Sequence, residues 1–217
     1  MVLESAGILI SLRPFNERDS IAQIFTQNYG VVVGMMRGGV VAKKNKPLVG
    51  QIGNMTWNAR LDSQLGVLYW SAEKNISAGL MLDAKKLMMM NAAFEILGTL
   101  LPERESYPTL YQDTLNMLSE LAQNDIDAYL NWEIALLREL GYALDLSHCS
   151  GCGRCDDLIY ISPRTGRAVC NTCAQPYLDK LYKMPVNLGI TYRFIESVCE
   201  QQGAKIPVSR YMLKNLH

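Results

Sequence analysis

Apolar residues recur at every second position through the first eighty residues and at every third or fourth position after Ala78. Met55, Trp57, Ala59 and Leu61 alternate with Thr56, Asn58, Arg60 and Asp62, which predicts an amphipathic strand. Ile8, Ile10 and Leu12 predict another, and the apolar runs Val31 to Met36 and Leu65 to Ala72 two more, with Tyr29-Gly30, Gly38-Gly39 and Asp62-Ser63 as turns. Ser20 to Gln27 fits a helical face through Ile21, Ile24 and Phe25, but its neighbours favour a strand. Five short strands in so short a segment predict a small closed barrel, because closure removes exposed edges.

Beyond Ala78, Leu87, Met90, Phe94, Leu97 and Leu101 lie on one helical stripe, and Met88-Met89-Met90 reads as core filling. Tyr111, Leu115, Leu118 and Ala122 mark a second helix behind Pro108. A third runs from Ile126 to Leu140, with Asn124 or Asp125 as its cap, Ile126, Leu130, Ile134 and Leu137 inward, and Gly141 as its stop. A fourth, capped by Asn187, carries Tyr192, Ile195, Val198 and Cys199. The expected class is α+β, with a barrel domain over 1–78 and a helical domain over 79–217 that holds a cysteine module at about 146–178.

The 217 residues are 49% hydrophobic and 19% charged, which suits packed cores. Glu4 without any Lys or Arg in the first twelve residues does not fit a signal peptide, and no apolar run approaches membrane-helix length, so a cytoplasmic location is expected. The zero net charge hides a segregation. Residues 1–80 hold eight Lys or Arg against five Asp or Glu, leaving thirteen against sixteen in the remainder. No acidic residue stands between Asp19 and Asp62, where Arg37, Lys43, Lys44, Lys46 and Arg60 fall; a second basic interval, Asp157 to Glu196, holds Arg164, Arg167, Lys180, Lys183 and Arg193 against Asp179. Such intervals suit a polyanion.

Cys149, Cys152, Cys170 and Cys173 form two Cys-x2-Cys pairs, the spacing of a structural zinc site. Cys152/Cys155 also fits the first pair, but a knuckle turns sharply after its second ligand, where Gly153 follows Cys152 and Asp156 follows Cys155. Cys155 is then a spare thiol and His148 a bystander. An iron–sulfur run through Cys149, Cys152 and Cys155 would need a cysteine and a proline where Ile159 and Tyr160 stand. Four cysteines close the metal's shell, and a module so small cannot hold itself together by core burial, so the metal's expected role is folding. Nucleotide-binding glycine loops and the usual catalytic histidine motifs are absent, and no enzymatic activity is expected. Trp57, Tyr69 and Trp70 read as barrel core or packing rather than as stacking platforms for bases.

Several stretches together resemble the RecO family of bacterial recombination mediators. They are Gly7 to Ile10, Arg13-Pro14-Phe15-Asn16-Glu17-Arg18-Asp19, Ile24-Phe25-Thr26, Tyr29-Gly30, Arg37-Gly38-Gly39 and Trp57-Asn58-Ala59-Arg60-Leu61. Trp132-Glu133, Leu140-Gly141-Tyr142 and Ile161-Ser162-Pro163 around the cysteine pairs continue the match in the family's order. The resemblance implies an N-terminal OB-fold and a helical domain with one structural zinc. It further implies binding of single- and double-stranded DNA, strand annealing, and assistance to RecA together with RecR and the single-strand-binding protein, whose acidic C-terminal tail the helical domain would receive. Arg13, Arg37, Lys43, Lys44, Lys46 and Arg60 are the candidate DNA contacts, and Lys183 and Arg193 the candidate tail contacts. The chain departs from the family in the loop Val40 to Lys46, which carries lysines where arginines are usual. The rival readings are a zinc-stabilised adaptor that binds only proteins and a zinc or iron–sulfur enzyme.

Overall fold

Strands β1 (Val2–Pro14), β2 (Ser20–Thr26), β3 (Gly30–Met36), β4 (Gln51–Asn58) and β5 (Gly66–Asn75) make up the N-terminal layer. The computed structural model describes residues 1–38, 46–61, 64–123, 125–142 and 144–214. The strands close in the order β1-β2-β3-β5-β4, and only β3 and β5 pair in parallel, which is the connectivity of an OB-fold. β1 closes the barrel by pairing with β4 along Val2 to Ile8 and with β2 from Gly7 to Pro14. Its alternation is blurred because both of its faces are covered. Leu9 points into the barrel, whereas Ile8 and Ile10 pack outward against helices.

Trp57 fills the barrel among Leu3, Leu9, Ile24, Val32, Met55 and Leu68, and its indole N–H donates to the Val33 carbonyl at 3.0 Å. The parallel seam consists of Gly34↔Gly66 and Met35↔Val67. A Cβ on Gly66 would stand 2.2 Å from the Trp57 ring, so the ring and a side chain there are mutually exclusive.

The helical layer comprises α1 (Ser77–Leu80), α2 (Ala84–Leu100), α3 (Pro108–Ala122) and α4 (Asp127–Glu139). The strands β6 (Leu158–Ile161) and β7 (Ala168–Cys170), a short α5 (Asn171–Ala174) and β8 (Tyr182–Lys183) then intervene before α6 (Leu188–Gln201) and α7 (Val208–Leu213). Pro108 opens α3, Gly141 takes φ +85° just past α4, and the Asn187 side chain accepts from the Gly189 and Ile190 N–H groups at the head of α6. Asp83 caps α2 in the same way. Met89 and Met90 are core residues, in keeping with the methionine run as core filling, while Leu87 and Met88 are half-buried, and α2 shares one core with Ile8, Ile10, Phe25 and Val31 of the barrel. Among the described residues no helix is long and apolar enough to cross a membrane.

α4 departs from expectation. It begins at Asp127 with Ile126 in the cap position; Asp125 accepts from the Asp127 N–H at 3.1 Å, and Asn124 lies outside the described residues. Its buried face is Ala128, Tyr129, Trp132, Glu133, Leu136 and Leu137, while Ile126, Leu130 and Ile134 are half-buried. The face is rotated because two polar contacts anchor it. Trp132 donates to the Thr114 hydroxyl at 2.9 Å, and Glu133 binds Arg210 of α7, both side chains being fully buried. Arg210 reaches Glu133 through Nε and, at 2.9 Å, through Nη2, and also donates to the Leu188 carbonyl at 2.6 Å. The Thr191 hydroxyl donates to Glu133 at 2.5 Å. A charge survives in this core only because its partner meets it there.

Arg210→Met and Glu133→Leu are each expected to lose about 3–5 kcal/mol in urea denaturation, because each strands a buried charge, and the double variant less than the sum. Additive losses would mean that packing alone anchors α7.

Candidate metal centre and basic surface

β6, β7 and β8 form a small sheet in the order β7-β6-β8 that joins the cysteine module to the helices. Ile161 aligns with Ala168 and Tyr182, and Ile161 and Tyr182 face the helical core, where Tyr182 meets Phe194 edge to face at 6.1 Å. Tyr160 and Val169 face the other way and pack around Cys149, Cys170 and Ala174. β7 delivers Cys170 to the head of α5, which carries Cys173. The opposing knuckle runs from Cys149, whose carbonyl accepts from the Gly153 N–H at 2.9 Å; Gly153 takes φ +75°.

The sulfurs of Cys149, Cys152, Cys170 and Cys173 all lie within 4.8 Å of one another, so these four residues could hold one metal ion. The Cys152 and Cys170 sulfurs are 3.8 Å apart, far beyond a disulfide bond of about 2.05 Å. That separation matches the edge of a tetrahedron built on metal–sulfur bonds of about 2.3 Å, roughly 3.8 Å. The surroundings suit thiolates as well. The Gly151 and Cys170 N–H groups both donate to the Cys149 sulfur at 3.3 Å, and a Cβ on Gly151 would come within 3.1 Å of the Cys173 sulfur. Backbone N–H groups, that of Cys170 foremost, draw the Cys149 thiol down to about 6, whereas the neighbouring thiols, Cys152 foremost, push Cys173 up to about 12. Four thiols this close compete for charge, and a central cation relieves that competition.

Cys155 is exposed and lies outside this cluster. His148 is also exposed, with Nδ1 at 2.7 Å from the Ser147 hydroxyl and Nε2 at 3.5 Å from Asp145.

Among the described residues, the candidate DNA contacts are spread over the barrel. Arg13 pairs with Ile21, which pairs with Met35, so Arg13 stands two strands from the exposed Arg37 just past β3. Arg13 borders a crevice against α2, Arg37 borders a cleft between β3 and β5, and Arg60 is exposed just past β4. Lys46 is exposed, and Lys43 and Lys44 lie outside the described residues. Lys183 is exposed on β8, and the Arg193 guanidinium lies 5.7 Å from the centre of the Tyr182 ring.

Of the three aromatic residues read as packing, Trp57 is buried and Trp70 half-buried, but Tyr69 is 58% exposed. Gly66, Leu68 and Trp70 turn toward the barrel interior, which sends Tyr69 outward. Strict parity along β5 carried that information.

Comparison with known proteins gives a consistent result. The chain matches the family described as "Recombination protein O N terminal" over residues 1–71 and that described as "Recombination protein O C terminal" over residues 81–204. It is 39% identical to the DNA repair protein RecO of Roseobacter denitrificans across 82% of this chain and 76% of that protein. It is 40% identical to the protein of the same name from Jannaschia sp., across 81% and 72%. Its similarity to the RecO of Cereibacter sphaeroides (strain ATCC 17025) is 32% identity across 97% of this chain and 95% of the relative.

Cys170→Ser is expected to lose bound metal, measured by elemental analysis, and to lower the unfolding temperature, whereas Cys155→Ser changes neither. Metal release by Cys155→Ser with retention by Cys149→Ser would instead assign the first pair to Cys152 and Cys155.

Proposed function

Since the chain belongs to the RecO family and so to DNA repair and recombination, we propose that it is a non-enzymatic recombination mediator that binds single- and double-stranded DNA and anneals complementary strands. With RecR and the single-strand-binding protein it assists the loading of RecA. The observation that carries the DNA-binding reading is the segregation of charge: no acidic residue occurs from 20 to 61, the stretch that supplies β2, β3 and β4. Cations on an OB-fold neutralise phosphates and let two strands approach without reading their sequence. In this reading Arg13, Arg37, Lys43, Lys44, Lys46 and Arg60 contact DNA, and the barrel domain spans 1–78.

We assign the metal as zinc, held by Cys149, Cys152, Cys170 and Cys173. Four cysteine sulfurs within 4.8 Å of one another suit its preferred structural donor set of four thiolates, and the bound ion supplies the folding free energy that the module's few buried side chains lack. The helical domain, 79–217, receives the acidic, hydrophobic-ended tail of the single-strand-binding protein, with Lys183 and Arg193 as its cationic contacts. The Arg193 guanidinium beside Tyr182 supports that role by offering charge and an aromatic face together, whereas Lys183, paired with Tyr160, stands on the other face of the small sheet and would contribute charge alone.

Replacing Lys43, Lys44 and Lys46 together with glutamate is expected to weaken binding to all DNA sequences alike. It should also flatten the dependence of log K on log salt by about 2–3, as phosphate contacts and their released counterions are lost. If the unmodified protein shows no salt-sensitive DNA binding, a protein-only adaptor remains. A fluorescent tail peptide should bind the lysine variant as well as the unmodified protein and bind Arg193→Glu more weakly; no binding to folded, zinc-loaded protein would remove the mediator role.

A further inference from the structure

Past Met35↔Val67, β3 and β5 part, and among the described residues the edge of β5 that faced β3 has no further strand partner. The gap is a cleft of about 480 Å³ bordered by Arg37, Pro47, Gln51, Leu68, Tyr69 and Trp70. That volume lies within the range of about 300–1,000 Å³ typical of pockets that enclose small organic ligands. Three features define what it can hold. Tyr69 offers an aromatic ring that is 58% exposed without being needed by the core. Trp70 is fixed beside it, its indole N–H donating to the Gln51 side-chain oxygen, which also accepts from the Leu48 N–H at 3.0 Å. Among the described residues, the lining carries the cation of Arg37 and no carboxylate. Asp19, close to Arg37, is engaged by the Gly38 N–H at 2.9 Å and by Asn16 at 3.1 Å.

An exposed aromatic ring next to a cation, with no acid in the lining, matches a nucleotide: a flat base with a phosphate attached. We infer that this cleft receives an unpaired base against Tyr69, with Arg37 at the adjoining phosphate, so that the barrel holds single strands by stacking as well as by charge. The inference rests on the DNA-binding reading above and adds to it a means of distinguishing strand states. In a duplex both faces of each base are already covered by neighbouring bases, so Tyr69 has nothing to stack on. A peptide strand added to the open β5 edge is the other conceivable occupant, but main-chain pairing would draw on neither the exposed ring nor the cation.

The test uses the full-length, metal-loaded protein, a fluorescein-labelled oligothymidylate, and a blunt-ended duplex with the same number of phosphates. Tyr69→Ala is expected to weaken oligothymidylate binding about tenfold, the scale of one lost base stack. Binding to the duplex should stay within about twofold, as for an ordinary surface substitution. Tyr69→Phe, which keeps the ring, should bind both as the unmodified protein does. Because Tyr69 is exposed, an unchanged unfolding temperature verifies that the variants are folded. Equal weakening for both DNAs would make Tyr69 a general surface contact and overturn the inference. So would unchanged binding of both, which is the result expected if the cleft takes a peptide. If the unmodified protein binds neither DNA, the DNA-binding reading fails and the inference with it; if it binds both and only Tyr69→Ala is silent, the inference alone fails.

Discussion

The Trp57 indole is the contact on which closure of the barrel depends. It fills the barrel, donates to the Val33 carbonyl, and occupies the space over Gly34 and Gly66 that any side chain at those positions would need. Closure therefore rests on a parallel seam only two residue pairs long. From the helical side, the Arg104 guanidinium lies 5.5 Å from the centre of the same ring, and the Arg104 N–H donates to the Val31 carbonyl at 2.9 Å. The chain between α2 and α3 thus runs along β3, close enough that a Cβ on Gly30 would stand 1.8 Å from the Glu105 carbonyl oxygen. The shortness of the seam is what opens the cleft beside Tyr69, since strands held together at so few positions separate as the sheet twists.

The rest of the helical layer meets its small size with polar anchors. Glu133 and Arg210 join α4 to α7, and the Thr191 hydroxyl and the Leu188 carbonyl add α6 to the same network. A buried ion pair stabilises little against an apolar substitute, but it fixes register, because each charge tolerates only the position that meets its partner. The cysteine module shows the same economy. Its own core comprises Cys149, Val169, Cys170 and Ala174, so it relies on the sulfur cluster on one face of its sheet and on Ile161 and Tyr182 docked against the helices on the other.

Charge is divided between the layers. Eight cations against five acids in residues 1–80, and thirteen against sixteen beyond, give a molecule with no net charge and two different faces. For a polyanion the local field matters, since screening confines electrostatic attraction to about 8–10 Å at physiological salt. A neutral total is therefore compatible with a barrel that attracts phosphates and a helical layer that does not.

The period switch at Ala78, the capping by Asn187 and the Cys-x2-Cys spacing were legible in the residues, because each reflects a local rule in which the chain answers to its own near neighbours. The sequence by itself thus determined the number of barrel strands, most of the helices and the two cysteine pairs. It did not determine which face of α4 is buried. Glu133 looks like a surface residue until Arg210, far along the chain, is brought against it, and local periodicity cannot report a partner so distant in sequence. Nor did it reveal that β1 is covered on both sides, that β3 and β5 separate after two pairs, or that Tyr69 lies open beside Arg37. Those features were decided by tertiary structure, because they depend on which strands become neighbours when the barrel closes around Trp57.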